Sequence, residues 1–142
     1  MGIRHDIHYG AIAALLHDPS GGIAKDMMRR GVRIQSQAKR NLAGGNGRPR
    51  RIATGATRAS IYCRPVTVRG LPGARVGATT WYSGLIHSGT GIYGPRHRPI
   101  TPTSKQFLRF TPKGSKTVVF ARSVKGMGAN PFLADALSAA RY

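Results

Sequence analysis

The chain has 142 residues, which suits one domain with a buried core, and its hydrophobic content of 40% argues against a disordered chain. It carries 23 Lys and Arg but only four acidic residues, all aspartates, for a formal net charge of +19. Such a surface attracts nucleic acid, acidic protein surfaces or anionic membranes, and so few carboxylates argue against a pair that performs general acid–base hydrolysis.

The single cysteine, Cys63, excludes an internal disulfide and a cysteine-rich zinc site. The first residues lack the apolar stretch of a signal peptide, and no apolar run approaches the ~20 residues that span a bilayer. We therefore expect a cytosolic protein that does not enter the membrane.

Residues 1–22 are expected to form an N-terminal arm with a short helix, because 7–17 show a weak helical pattern of apolar residues. The run Asp18-Pro19-Ser20-Gly21-Gly22 should end this helix and cap the next one. His5 and His8 could share a face and bind a metal ion, but a polar arm is the interpretation that we favour.

Residues 23–42 predict a long amphipathic helix. Its apolar stripe is expected to face the core and consists of Ile23, Met27, Gly31, Ile34, Ala38 and Leu42. Its opposite side is expected to be basic and consists of Lys25, Arg29, Arg33, Lys39 and Arg40.

A Gly- and Arg-rich loop is predicted over residues 43–58, because clustered glycines disfavour a helix interior. Arg48, Arg50, Arg51 and Arg58 extend the basic helix face and could neutralise phosphates without reading bases. We expect the helix face to meet protein and the loop arginines to lie nearer DNA.

The β region covers 59–121 and should form an antiparallel sheet of about four strands. The strands are expected at Ser60–Val68, Arg75–Tyr82, Gln106–Thr111 and Thr117–Ala121. Leu71-Pro72-Gly73 and Pro112-Lys113-Gly114-Ser115 are the predicted turns.

A long connection, 88–104, interrupts this region and is rich in Gly and Pro. It is too polar for the core and too long for a plain turn, so we expect it to contact a neighbouring subunit or the next ring of an assembly. The expected interface residues in and beside it are Ile86, His87, Gly89, Thr90, Tyr93, Arg96 and His97.

A short C-terminal helix is predicted over residues 130–140, with Asn130 as its N-cap and Pro131 at its first position. Phe132, Leu133 and Leu137 should pack into the core. The predicted fold is therefore α+β, one domain with a long N-terminal helix and a short C-terminal helix packed on the sheet.

No catalytic constellation is apparent. Cys63 lies in a predicted strand, where a cysteine is more often a small core residue than a nucleophile. The glycine clusters match neither a phosphate-binding loop nor a dinucleotide-binding fingerprint. We therefore expect a protein that is not an enzyme and that needs no cofactor or metal ion.

Three segments, in this order, resemble the tail-completion or head–tail joining proteins of long-tailed bacteriophages. The first contains Thr54-Gly55, Arg58 and Ser60-Ile61, and the second is the run 85–91, Leu-Ile-His-Ser-Gly-Thr-Gly. The third runs from Val124 through Asn130-Pro131-Phe132-Leu133 to Ala136-Leu137. Thr57 stands where the family usually has Leu, and His87-Ser88 replaces an acidic–aromatic pair.

The resemblance implies a non-catalytic α+β subunit of the virion neck. It implies a ring, a hexamer being favoured, between the head-side connector and the tail-tube protein, in either a tail-completion or a tail-terminator role. Genomic DNA in the channel would be a further, non-specific contact. The alternative is a basic nucleic-acid-binding protein of the ribosomal-protein type, which the Gly/Arg loop and the sequence pI of 11.8 favour.

Overall fold

The computed structural model describes residues 8–48, 55–112 and 114–140. The helices and strands of these ranges are, in chain order, α1 (Tyr9–His17), α2 (Gly22–Arg40), α3 (Ala56–Ala59), β1 (Ile61–Val68), β2 (Leu71–Ala78), α4 (Ser83–Ser88), β3 (Leu108–Phe110), β4 (Val119–Ala121) and α5 (Phe132–Ala139). The α+β class and the two predicted helices, long and short, are confirmed.

Helix α2 is the centre of the fold, with the β1–β2 hairpin and α5 packed against it. The core is small and consists of Ala38, Leu42, Ile61, Ile86, Phe132 and Ala136. The sheet approaches α2 closely at Gly31, where an added Cβ would lie 2.6 Å from the Cys63 Sγ and 2.7 Å from the Ala74 Cβ. A glycine therefore permits this helix–sheet contact.

The apolar stripe of α2 is rotated slightly from the predicted one. The smallest side chains, Ala24, Gly31 and Ala38, are buried, whereas Ile23, Met27 and Ile34 are only half-buried. The close approach of the hairpin explains the difference, because small residues occupy the line of nearest contact and larger ones flank it.

Helix α2 is followed by a π-helical turn, Asn41–Gly45, in which Asn41 and Leu42 are buried. Gly44 within this turn has a left-handed φ of 99°, so the helical conformation breaks at the glycines, close to the predicted end at Leu42. None of the helices in the described ranges is both long and apolar enough to cross a membrane.

The prediction of one four-stranded sheet is wrong: the strands form two separate antiparallel pairs, β1–β2 and β3–β4. The first hairpin turns at Arg69-Gly70, so the predicted turn Leu71-Pro72-Gly73 lies within β2. Both turn residues have positive φ, 52° and 77°, which matches the twist of a two-residue hairpin. Pro72 is tolerated because β2 has an unpaired edge.

The C-terminal helix begins one position later than its predicted cap. Pro131 is the N-cap, and the Asn130 side chain instead accepts a hydrogen bond from Asn46 Nδ2 at 3.0 Å. Phe132 is fully buried and Leu133 is half-buried, but Leu137, expected in the core, is 50% exposed. The helix lies on α2 through only one narrow face, which leaves Leu137 outside the contact.

Candidate interaction surfaces

The basic side of α2 faces away from the core. Lys25, Arg29, Arg33 and Arg40 are exposed, and Lys39 is half-buried. The Arg40 guanidinium donates to Gln37 Oε1 at 2.6 Å through Nη2. Within the described residues the ion pairs are Asp26–Arg30 and Arg48–Asp135, so Arg29 and Arg33 have no carboxylate partner there.

The loop arginines are only partly placed. Arg48 donates to Asp135 Oδ2 at 3.2 Å, which holds it beside α5. Arg58 is exposed on α3, and Arg50 and Arg51 lie outside the described residues. The structure therefore places one of the loop arginines, Arg48, in a contact within the chain.

The expected subunit interface divides into two parts. Ile86 is in the core, Gly89 is buried, and the His87 ring makes an edge contact with the Phe132 ring at 5.6 Å between centroids. Ile86 and Gly89 therefore lie inside the chain, and His87 is half-buried. Ile86 and His87 belong to the helix Ser83–Ser88, which precedes the predicted connection 88–104 and which the sequence did not predict. The remaining expected residues are Thr90, which is half-buried, and Tyr93, Arg96 and His97, which are exposed.

The segment after α4 is locked to the segment before α5 by backbone hydrogen bonds. Thr90 N donates to Met127 O at 2.8 Å, and Ile92 N donates to Lys125 O at 2.9 Å. Met127 N in turn donates to the Thr90 Oγ1 at 2.9 Å. We call this contact, formed by residues 89–92 and 125–127, the clamp.

The clamp depends on two glycines that cross at close range. Gly91 and Gly126 both have positive φ, 65° and 92°. A Cβ on Gly91 would collide with Lys125 O, and a Cβ on Gly126 would collide with Thr90 O. No other residue fits either position without moving the backbone, so the glycines fix where the two segments meet.

The segment between Ile100 and Val124 forms an arm whose described residues are not part of the core. Ile100 and Val124 close the base of the arm through a pair of backbone hydrogen bonds of 2.8 and 2.9 Å. Between them, in the described part of 101–123, no residue is buried. The arm, residues 101–123, carries the β3–β4 hairpin.

The arm hairpin leaves apolar side chains partly exposed on both of its faces. Its paired residues are Leu108↔Ala121, Arg109↔Phe120 and Phe110↔Val119. Because side chains alternate along a strand, Leu108, Phe110, Val119 and Ala121 share one face, while Arg109 and Phe120 share the other. On the first face Phe110 and Val119 are 36% and 37% exposed, and on the second face Phe120 is 63% exposed. Arg122 lies over the Phe107 ring at 5.8 Å from its centroid.

The described chain is more open than a folded monomer of its size. The accessible surface is 10755 Å², whereas a monomer of 15.2 kDa exposes roughly 7100 Å². Even if every residue outside the described ranges were counted as unfolded, they would supply roughly 2500 Å². The remainder still exceeds the expected surface by about a sixth, which indicates that surface is left for partners.

Sequence reasoning missed the arm as a unit and the clamp that supports it. The strands at its centre were predicted, but they were assigned to one large sheet. In the sequence, only the glycines at positions 91 and 126 mark the clamp, and a glycine by itself does not reveal which segments it brings together.

Among the described residues, no three His, Cys or Asp side chains are grouped so that they could hold a metal ion. Cys63 is half-buried on β1, and burial raises the pKa of its thiol, which makes it a poor nucleophile near neutral pH. His5 lies outside the described residues, and His8 is exposed just before α1.

Comparison with models of known families, with curated proteins and with solved structures finds no match to this chain. The function proposed below is therefore based on the surfaces described above.

Proposed function

We propose that this chain is a structural subunit of the neck of a tailed bacteriophage, and that it forms a homo-oligomeric ring that joins or completes the tail. The observation that carries the proposal is the arm, a two-stranded hairpin whose apolar side chains Phe110, Val119 and Phe120 are exposed on its two faces. An isolated two-stranded hairpin is only marginally stable in water, so an arm of this kind requires a partner surface.

A second copy of the chain is the partner that we propose for the arm. Both two-stranded sheets have unpaired edges that a strand of a neighbouring copy can extend. Repetition of an arm-to-neighbour contact around an axis closes into a ring, and a hexamer is the favoured number from the family resemblance.

The high positive net charge of the chain suits an assembly that contacts a polyanion or an acidic protein surface. Copies of a chain with a net charge of +19 repel one another at close range unless a polyanion or an acidic surface lies between them. Genomic DNA in the channel would supply one such polyanion, and the head-side connector and the tail-tube protein would supply acidic surfaces. The proposed location is the virion neck, after assembly in the host cytoplasm.

The test replaces the arm and leaves the clamp intact. Residues 102–122 are exchanged for a short Gly/Asn turn, so that the Ile100–Val124 bridge closes a tight hairpin. Deletion of the whole segment 88–104 would be uninformative, because it removes Gly89, Gly91 and Ile100, which hold the clamp and the base of the arm.

Purified wild-type chain should form rings, by light scattering and negative-stain microscopy, alone or with the tail-tube protein. The arm replacement should keep its melting temperature but remain a monomer, and should fail to join heads to tails.

A matched pair of variants tests the hairpin itself: Phe110→Ser with Val119→Ser should block assembly, whereas Arg109→Ser, on the opposite face, should not. Normal joining without the arm contradicts the proposal. A wild-type monomer that co-purifies with RNA favours the nucleic-acid-binding alternative.

A further inference from the structure

A groove of about 940 Å³ lies between α2 and the outer half of the β1–β2 hairpin. One wall is apolar and comes from α2, where Ala24, Met28 and Val32 recur every four residues. The other wall is also mostly apolar and consists of Pro65, Val66, Thr67, Pro72 and Gly73. Pro19, in the turn between α1 and α2, also lines the groove.

Three cations run along the same groove beside its apolar wall. Lys25, Arg29 and Arg33 each follow one of the apolar residues by one position, and all three are exposed. At a helical rise of 1.5 Å per residue their backbone positions are about 6 Å apart along the axis. The groove thus presents two parallel stripes, one apolar and one positively charged, with the same repeat.

We propose that this groove binds an amphipathic helix of a second, acidic protein. A helix with an apolar stripe would cover Met28 and Val32, as in other helix-in-groove complexes. Acidic residues at every fourth position beside that stripe would have the ~6 Å spacing of the three cations. The match of spacing, apolar surface and charge on one wall defines the partner's chemistry.

A second copy of this chain does not have that chemistry. Its four aspartates are Asp6, Asp18, Asp26 and Asp135, and no two are closer than eight positions. Asp26 and Asp135 are moreover paired with Arg30 and Arg48. No segment of this sequence can therefore supply a series of acids, and the occupant is a different protein.

Nucleic acid fits the groove less well than an acidic helix. Phosphates would neutralise the cations but would leave Met28 and Val32 exposed to water. The groove has no aromatic residue among those that line it, whereas single-stranded nucleic acids are held largely by stacking on aromatic rings. Nucleic acid is accordingly the competing outcome of the test.

This inference goes beyond the proposed neck function, because the groove shares no residue with the arm. Oligomeric state reports on the arm, and peptide binding reports on the groove, so either can fail without the other.

The probe is a fluorescein-labelled peptide of Ala, Leu and Glu, about 16 residues long so that it can form a helix. Leu residues form one stripe, and Glu residues at every fourth position flank it. Binding to the full chain is followed by fluorescence anisotropy, beside the same peptide with Lys for Glu and a short DNA duplex. Circular dichroism and thermal melting check that each variant is folded.

The double variant Arg29→Glu, Arg33→Glu should weaken binding of the Glu peptide about tenfold or more. The control Arg75→Glu, Arg98→Glu makes the same change in net charge at exposed positions that do not line the groove, and should change the dissociation constant less than about twofold. Val32→Gln, which leaves the charge unaltered, should weaken binding about threefold through lost apolar contact.

Equal loss in the two double variants would show bulk attraction only and would overturn the proposal. So would no binding of the Glu peptide to the wild-type chain, or equal binding of the Lys peptide. Loss of DNA binding in the groove variants with peptide binding unchanged would assign the cation stripe to nucleic acid instead.

Discussion

The side-chain amide of Asn41 donates a hydrogen bond of 3.0 Å to the main-chain carbonyl of Phe132, across 91 positions of sequence. Asn41 is 1% exposed and lies in the π-helical turn that extends α2, whereas Phe132 begins α5. Asn130 Nδ2 lies 3.5 Å from Asn41 O, so polar contacts between these two helix ends run in both directions. The two helices therefore meet at a buried polar contact beside the aromatic core.

Asn41→Ala is expected to lower the free energy of unfolding by about 1–3 kcal/mol, because buried polar groups lose their partners. Urea denaturation followed by circular dichroism measures the change. Ser36→Ala, on the exposed side of the same helix, should alter stability by less than about 0.5 kcal/mol. Equal behaviour of the two variants would show that the contact contributes nothing to the fold.

Phe132→Ala is expected to cost about 3–5 kcal/mol, because a fully buried aromatic leaves a cavity between α2 and α5. Leu137 lies on the same helix but is 50% exposed, so Leu137→Ala should lower the free energy of unfolding by only about 1 kcal/mol. Thermal melting of both variants makes the comparison, and an unchanged melting temperature for Phe132→Ala contradicts the packing described above.

Gly126→Ala should destabilise the clamp by at least about 2 kcal/mol, through positive-φ strain and a collision with Thr90 O. Gly84→Ala is the matched control, since it lies in helix α4 with open space around its Cα and should be neutral or slightly stabilising. Hydrogen exchange at the Ile92 and Met127 amides should quicken in the first variant and not in the second. Unchanged protection at those amides in Gly126→Ala would mean that the clamp tolerates a side chain.

The Cys63 thiol gives a pH-dependent prediction. Burial raises the pKa of this thiol, so the folded state favours the protonated form. The corresponding stability is fully present below the unfolded pKa of about 8.5 and is lost as pH rises through the folded value. Iodoacetamide should therefore alkylate the folded chain with a midpoint at higher pH than the chain in denaturing guanidinium. Coincident midpoints would contradict the assigned burial.

The sequence by itself determined the elements whose signal is local. The basic and apolar sides of α2, the break at Asp18–Gly21 and the start of α5 near Pro131 all follow from periodicity and capping within a few residues. The fully buried position of Phe132 could be predicted for the same reason, since it begins an apolar stripe.

Only the tertiary structure decided where those elements meet. The strands near Leu108 and Val119 were predictable as strands, but they pair with each other in the arm and not with β1–β2. The Gly91–Gly126 crossing joins segments 35 positions apart and likewise leaves no periodic pattern in either one. Asn41 is a second example. Asparagine is typical of surfaces, but Asn41 is buried because its side-chain amide hydrogen-bonds to the distant main-chain carbonyl of Phe132. Hydrophobic periodicity records which side of an element faces inward, whereas the identity of its neighbour depends on close contacts that only the folded chain brings together.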